Sequence, residues 1–156
     1  MVYTIRKAVP GDTEAIHSVL LPYAADGIIL HRDRADITDN INSFFTAEWA
    51  GRVIGVVSFY DYGERLKEIR SLAVVKENFR AGVGAALVKF LIGSLLESCP
   101  SAKIFALSFS PGFFMKLGFD EVNKDTLPEK IWKDCDHCVH KDNCGETALV
   151  YRNNGV

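Results

Sequence analysis

The sequence predicts an α/β (α+β) fold with a central, mostly antiparallel sheet of six to seven strands. Three observations carry this prediction. The chain has 156 residues, which is the length of one domain, residues 1–156. Strand-like and helical segments follow one another in the order β-α-α-β-β-β-α-β-α-β-β. One strand passes through a glycine turn into a long helix and a further strand, and this βαβ unit joins parallel neighbours.

The N-terminal half predicts an edge strand, two helices and a hairpin. Asp12 follows Pro10 and Gly11 in a turn, where an aspartate can cap the first helix. Gly51 and Arg52 form the turn of the hairpin, and the stretch 61–64 after it predicts a loop. The predicted strands are 2–8, 45–50 and 53–60, and the predicted helices are 13–24 and 36–44.

The C-terminal half predicts the βαβ unit and two closing strands. Apolar positions at helical spacing predict the long helix, and Gly118 ends the short one. The predicted strands are 67–75, 103–107, 119–122 and 146–151, and the predicted helices are 85–98 and 111–117. Period-2 alternation divides the first of these strands into two faces. One face carries Glu68, Arg70 and Leu72, and the other carries Ile69, Ser71 and Ala73.

Charge and hydropathy exclude several classes of partner. Twenty acidic side chains against 18 basic ones give a formal net charge of −2, which does not favour nucleic acid. No apolar run is long enough to cross a bilayer, and the first residues carry no signal-peptide core. We therefore expect a cytoplasmic protein with neither a nucleic-acid nor a membrane partner.

The turn between the predicted strand 67–75 and the long helix is the most informative motif. Backbone N–H groups at a helix N-terminus lack intrahelical partners, and glycines such as Gly82 and Gly84 let a phosphate approach them. Arg80 can add charge-assisted hydrogen bonds, so the motif indicates a pyrophosphate ligand. A tight turn without a ligand is the alternative. The full dinucleotide fingerprint is absent, because Leu87 stands where its third glycine belongs.

Three segments in this order and spacing resemble the GNAT acetyltransferase family. They are Ser71-Leu72-Ala73-Val74, Gly82-Val83-Gly84-Ala85-Ala86-Leu87-Val88 and Phe113-Phe114-Met115-Lys116-Leu117-Gly118-Phe119. The resemblance implies the GNAT fold, with helices on both faces of the sheet, a splayed central strand pair and acetyl-CoA as cosubstrate. It also implies that Leu72, Ala73 and Val74 hold the acetyl and pantetheine part. The pyrophosphate would lie on Arg80, Ala81, Gly82, Val83, Gly84 and Ala85.

Other segments are similar to small bacterial amino-acid acetyltransferases of the N-acetylglutamate synthase type. They include Ile29-Leu30-His31-Arg32, Ile104-Phe105-Ala106-Leu107-Ser108 and the stretch 127–135. This resemblance implies an acidic amino-acid acceptor, L-glutamate in arginine biosynthesis, and makes a homodimer plausible. Two positions depart from the GNAT pattern. Phe79 stands where the family usually has Arg or Gln, and Phe114 stands where it often has a tyrosine acid.

Candidate chemistry follows from what amine acetylation needs. A protonated amine must lose its proton, and Glu68 is the candidate base, directly or through a water. Guanidinium groups match carboxylates, so Arg32 and Arg70, with Ser71, are the candidate acceptor-binding residues. Ser108 is a candidate acid for the leaving thiolate, with Ser110 or water as alternatives. A plain surface ion pair between Glu68 and Arg70 is equally compatible with the sequence.

A cysteine cluster near the C-terminus has the look of a structural zinc loop. Cys135 and Cys138 form a Cys-x-x-Cys pair, Cys144 follows, and His140 is a candidate fourth ligand. Three reduced thiols packed under a loop are the alternative.

Two other functions are also compatible with the sequence. One is an acyl-CoA-binding sensor or regulatory module without turnover, which Phe79 and Phe114 would suit. The other is a GNAT enzyme for another small amine or a protein amine, although arginines at 32 and 70 would repel cationic acceptors.

Overall fold

The computed structural model describes residues 2–29, 31–63, 65–127 and 146–152, and its centre is a seven-stranded sheet. The strands are β1 (Thr4–Lys7), β2 (Phe44–Trp49), β3 (Arg52–Gly63), β4 (Leu66–Val74), β5 (Lys103–Ser108), β6 (Phe119–Val122) and β7 (Thr147–Tyr151). They lie in the order β1-β2-β3-β4-β5-β7-β6. Among these described strands only β4 and β5 run parallel, which confirms the mostly antiparallel α/β fold.

Helices cover both faces of this sheet. They are α1 (Thr13–Ala25), α2 (Arg34–Asp39), α3 (Val83–Ser98) and α4 (Pro111–Met115). One face packs on α1 and α2 through a cluster that includes Ile16, Leu20, Ile37, Phe44 and Val56. The other packs on α3 and α4 through a larger cluster that includes Val57, Ile69, Leu87, Leu91 and Phe114. The face beneath α1 and α2 is called the α1 face below, and the opposite one the α3 face.

The hairpin between β3 and β4 differs from its prediction. Residues 61–63 are not a loop, because β3 continues to Gly63 and Asp61 pairs with Lys67. The reversal falls later, where Gly63 and Arg65 both adopt positive φ, 78° and 64°. Tyr62 therefore belongs to β3 and lies where the pairing register shifts between Asp61 and Gly63.

The predictions for α1 and α2 also need correction. Asp12 does not cap α1 with its side chain, because its carboxylate instead accepts hydrogen bonds from Arg6 and from the Val9 N–H. The second helix begins at Arg34, since the Asp33 carboxylate accepts from the Asp36 N–H, and it ends at Asp39. Phe44 then belongs to a strand.

A β-bulge in β4 overturns the predicted division of its faces. Arg70 pairs with Ser58 and Ala73 with Val56, so two residues of β4 oppose one of β3. Ser71 lies in the bulge with φ 52°. The extra residue reverses the alternation beyond it. Leu72 and Val74 pack against the α3 cluster, and Ala73 packs in the α1 cluster.

Within the described ranges, no helix combines the length and apolarity that a membrane crossing requires.

Candidate active site

The central strands β4 and β5 part halfway along their length. Their pairing runs from Leu66 opposite Lys103 to Ile69 opposite Ala106, and β4 continues beyond it to Val74. The Val75 N–H donates a hydrogen bond to the Ile54 carbonyl on β3. Because backbone groups alternate in direction along a strand, those of the preceding residue, Val74, point away from β3. The N–H and C=O of Val74 therefore face the gap between β4 and β5, where a ligand can use them. This gap is the predicted splayed pair.

The N-terminus of α3 lies beside this gap. Gly82 precedes the helix in the left-handed region, with φ 75°, a conformation that glycine adopts without strain. A Cβ on Gly84 would lie 3.5 Å from the Phe113 ring and 3.7 Å from Val74, so α3, α4 and β4 meet at this residue. The first-turn N–H groups of Val83, Gly84 and Ala85 have no intrahelical acceptor and suit a phosphate.

Tyr23 anchors the end of β4 from the α1 side. Its hydroxyl donates a hydrogen bond to the Val74 carbonyl, one of the groups that face the gap. Burial raises the pKa of Tyr23, so the hydroxyl keeps its proton at neutral pH.

Arg32 is held on the α1 face by contacts from four sides. Its Nε and Nη2 donate to the two carboxylate oxygens of Asp36 at 2.7 and 3.3 Å. Its Nη1 lies 3.3 Å from the Ser58 hydroxyl and 3.5 Å from that of Ser71. The guanidinium also stacks 4.7 Å above the buried Phe44 ring. The hydrogen bond from Arg32 lowers the pKa of Asp36, so the pair stays ionised at neutral pH.

Arg70 is fixed in a similar way on the same face. Its Nε donates to Glu68 at 2.8 Å, and its guanidinium lies 4.5 Å from the centre of the Tyr60 ring. Glu68 is only 7% exposed. The predicted alternative of an ion pair between Glu68 and Arg70 is therefore correct as to the pairing, but Glu68 is buried and Arg70 is only partly exposed, so the pair is not a fully solvated one.

The two arginines line one cavity of about 220 Å³, here called the acceptor cavity. Its walls are Arg32, Asn40, Ser43, Phe59, Tyr60, Asp61 and Arg70. Two ion-paired guanidiniums, each stacked on an aromatic ring, give it preorganised donors for carboxylates.

Ser108 lies at the end of β5, two residues past the last pair with β4. Its hydroxyl oxygen accepts a hydrogen bond from the Ser110 N–H at 2.9 Å. Because the oxygen already accepts, the hydroxyl hydrogen can point elsewhere and serve as a donor.

The predicted residues thus fall into two groups on either side of β4. Arg32, Ser71, Glu68 and Arg70 gather on the α1 face, and the second group surrounds the gap. That group comprises Leu72, Ala73, Val74, Ala81, Gly82, Val83, Gly84, Ala85 and Ser108, with Arg80 in the 3-10 turn Lys76–Ala81.

Sequence reasoning missed three residues that contact the candidate site residues: Asp36, Tyr60 and Tyr62. The signal for the tyrosines was the spacing of two between Ser58, Tyr60 and Tyr62, which is the period of a strand face. It was obscured by the loop-like composition of residues 61–64.

The zinc hypothesis concerns residues outside the described ranges, namely Cys135, Cys138, His140 and Cys144. Among the residues that are described, no group of three or more His, Cys, Asp or Glu side chains could hold a metal.

Comparison with known proteins gives close relatives. An uncharacterized N-acetyltransferase of Chlorobaculum tepidum is 38% identical over 94% of each chain. An amino-acid acetyltransferase of Neisseria meningitidis is 32% identical over 84% of this chain, but this chain spans only 30% of its length.

A solved structure agrees with these relatives. N-acetylglutamate synthase from Neisseria gonorrhoeae, complexed with coenzyme A and N-acetyl-glutamate, superposes with a TM-score of 0.87 at 28% identity. The match covers 99% of this chain and 36% of that one. The family model of the GNAT acetyltransferase domain matches residues 40–121, which run from the end of α2 to β6. By this match and by its relatives, the chain belongs to the GNAT family of acetyl-CoA-dependent N-acetyltransferases.

Proposed function

We propose that the protein acetylates the α-amine of an acidic amino acid, with L-glutamate as the acceptor. The observation that carries the proposal is the pair of fixed guanidiniums, Arg32 and Arg70, in one cavity on the α1 face. An amino-acid acetyltransferase and an N-acetylglutamate synthase among the similar proteins support the same acceptor class.

Charge explains why this cavity suits an acidic amino acid better than a cation. Each guanidinium carries five N–H donors, more than its own carboxylate partner can accept. The Nη1 of Arg32 donates to the hydroxyl oxygens of Ser58 and Ser71. An incoming carboxylate can replace these hydroxyls as the hydrogen-bond acceptor. A polyamine would instead meet two fixed positive groups.

The acetyl donor would occupy the other side of β4. Backbone groups of Leu72, Ala73 and Val74 would hold its pantetheine in the gap, and the first turn of α3 would hold its pyrophosphate. The coenzyme A in the Neisseria synthase complex supports acetyl-CoA as the cosubstrate. The thioester and the acceptor amine would then meet near the bulge at Ser71.

The reaction would be direct transfer in a ternary complex. Glu68 would take the proton of the ammonium, directly or through one water, and the amine nitrogen would attack the thioester carbonyl carbon. Backbone N–H groups on β4 would stabilise the developing oxyanion. The C–S bond would then break, and Ser108 would give a proton to the leaving thiolate and regain one from solvent.

Thiol release from acetyl-CoA tests the proposal. The acceptors are L-glutamate, L-aspartate, L-glutamine and spermidine, and the variants are Arg32→Ala and Glu68→Gln. Arg34→Ala is the matched control, because Arg34 makes an exposed pair with Glu14 on the surface. We expect turnover with glutamate that both variants impair and the control retains.

Other outcomes separate the parts of the proposal. Turnover only with spermidine or another amine would keep the family activity and overturn the acidic acceptor. Thiol release with glutamate that is unchanged in Glu68→Gln would remove Glu68 from the role of base. Acetyl-CoA binding without release by any amine would favour the sensor function.

A further inference from the structure

A closed triangle of hydrogen bonds joins Tyr62 on β3 to Glu68 and Arg70 on β4. The Tyr62 hydroxyl donates to Oε1 of Glu68 at 2.8 Å and accepts from Nη2 of Arg70 at 2.7 Å. Nε of Arg70 donates to the same Glu68 oxygen at 2.8 Å. The phenol thus bridges the candidate base and one of the two candidate carboxylate-binding groups.

The aromatic ring that carries this hydroxyl is itself fixed. It lies between Tyr60, whose ring centre is 4.7 Å away, and the fully buried Phe105, whose ring centre is 6.0 Å away. The Arg70 guanidinium lies 5.8 Å from the Tyr62 ring centre and 4.5 Å from that of Tyr60. A ring packed in this way offers its hydroxyl at one position, as preorganisation of a site requires.

The protonation state of Tyr62 suits a permanent donor. Burial, with the neighbouring Glu68 charge as a further cause, raises the pKa of Tyr62 well above its usual value. The hydroxyl therefore remains protonated through the neutral and mildly alkaline range.

We propose that Tyr62 is a positioning residue, which holds Glu68 and Arg70 as one unit so that acceptor binding and proton removal are coupled. This inference rests on the proposed function, in which Arg70 receives a carboxylate and Glu68 receives the proton. Tyr62 touches neither substrate; it acts through the two residues that it bridges.

Tyr62→Phe is the direct test, because it removes the hydroxyl and keeps the packed ring. We expect the KM for the acceptor to rise about tenfold, since two hydrogen bonds to charged groups are lost. The KM for acetyl-CoA should stay within about twofold, because the cofactor contacts lie beyond the bulge. Tyr151→Phe is the matched control, since that ring packs on Phe119 in β6 and lies outside the acceptor cavity.

The pH profile provides a readout that a purely structural role would not change. The carboxylate of Glu68 loses one donor in Tyr62→Phe, so the acid limb of kcat/KM should move to higher pH. Among the described residues, Glu68 is ion-paired with Arg70, whose charge in turn acts on Asp36, the partner of Arg32, and the variant keeps all of these groups. An unmoved acid limb together with an unchanged acceptor KM would overturn the proposal.

A second measurement needs no substrate and therefore separates this inference from the proposed function. Thermal stability is measured for Tyr62→Phe, Glu68→Gln and the double variant. We expect the two losses to be non-additive, because one change removes the donor of the shared hydrogen bond and the other removes the charge of its acceptor. Additive losses would show that the two side chains act independently and would overturn the coupling, even if glutamate is acetylated. Non-additive losses without glutamate turnover would leave the coupled unit intact and reject only the acceptor.

Discussion

Arg32→Lys tests whether the geometry of the guanidinium or only its charge serves the acceptor cavity. Arg32 uses all three nitrogens, two on Asp36 and one on Ser58 and Ser71. Its side chain is 17% exposed, so these contacts are shielded from bulk water. Lysine keeps the positive charge, but its single ammonium cannot reproduce the planar fork.

The size of the effect follows from the contacts that are lost. A carboxylate bound by one charged contact in place of a bidentate pair loses about 1.5–3 kcal/mol. That loss corresponds to a fall of about 10- to 100-fold in kcat/KM for glutamate. Most of it should appear in KM, because the carboxylate is held equally in the ground state and the transition state. The KM for acetyl-CoA should remain near the wild-type value.

The assay is thiol release with glutamate varied at saturating acetyl-CoA. Arg34→Lys is the matched control, since it makes the same change two residues away in an exposed pair with Glu14. We expect no measurable effect there, because such surface pairs contribute little. An Arg32→Lys enzyme within threefold of wild type would refute the bidentate role. Equal losses in both variants would indicate a local structural defect instead.

Three further predictions concern the frame around the site. Tyr23→Phe should cost about 1 kcal/mol in urea unfolding and raise the KM for acetyl-CoA, because the Val74 end of β4 loses its anchor; an unchanged KM would contradict this. Gly55→Ala should lower stability by about 1–3 kcal/mol in thermal unfolding, since its Cβ would lie 3.0 Å from two side-chain carbons of α3. Unchanged stability would mean that these α3 side chains move aside without a measurable cost. The hydrogen bond from Arg6 lowers the pKa of Asp12 from 3.8, so this pair stabilises the fold above about pH 4, and the contribution is lost as the pH falls further. Asp12→Asn should therefore cost about 1–2 kcal/mol at pH 7 and less at pH 3 in urea unfolding, and an equal cost at both would contradict the assignment.

The order of elements and the βαβ unit were predictable because both depend on local patterns. Apolar residues at helical spacing located α3, and β-branched runs located most strands. The family was predictable because its motifs are contiguous stretches of sequence, from the end of β4 into α3 and through α4. Contacts at Leu87 and Phe114 confirm that the apolar positions of these motifs form the core.

The contacts within the site were less predictable, since they join residues distant in sequence. Arg32 and Ser58 are 26 positions apart, and nothing local to either one indicates the other. The role of Tyr62 was not predicted for a different reason. The composition of residues 61–64 is typical of a turn, and pairing with β4 is what extends β3 through residues 61–63. Tertiary context overrides local propensity there.

In the proposed function, the bulge at Ser71 lets one strand serve both substrates. Strict alternation would direct Leu72 to the α1 face beside Arg70, and Ala73 to the α3 face. With one extra residue, Ala73 instead packs under α1, while Leu72 and Val74 pack against the α3 cluster.

The last residues of β4 are thus anchored by side chains on both faces of the sheet and need no hydrogen bonds from β5. For this reason β5 can part from β4 after Ala106 without destabilising the strand end, and the backbone groups of Val74 can face the gap. Arg70, just before the bulge, still faces the acceptor cavity. In the proposed function, a single inserted residue therefore separates an acceptor side, made by side chains, from a cofactor side, made by backbone groups, within five positions of one strand.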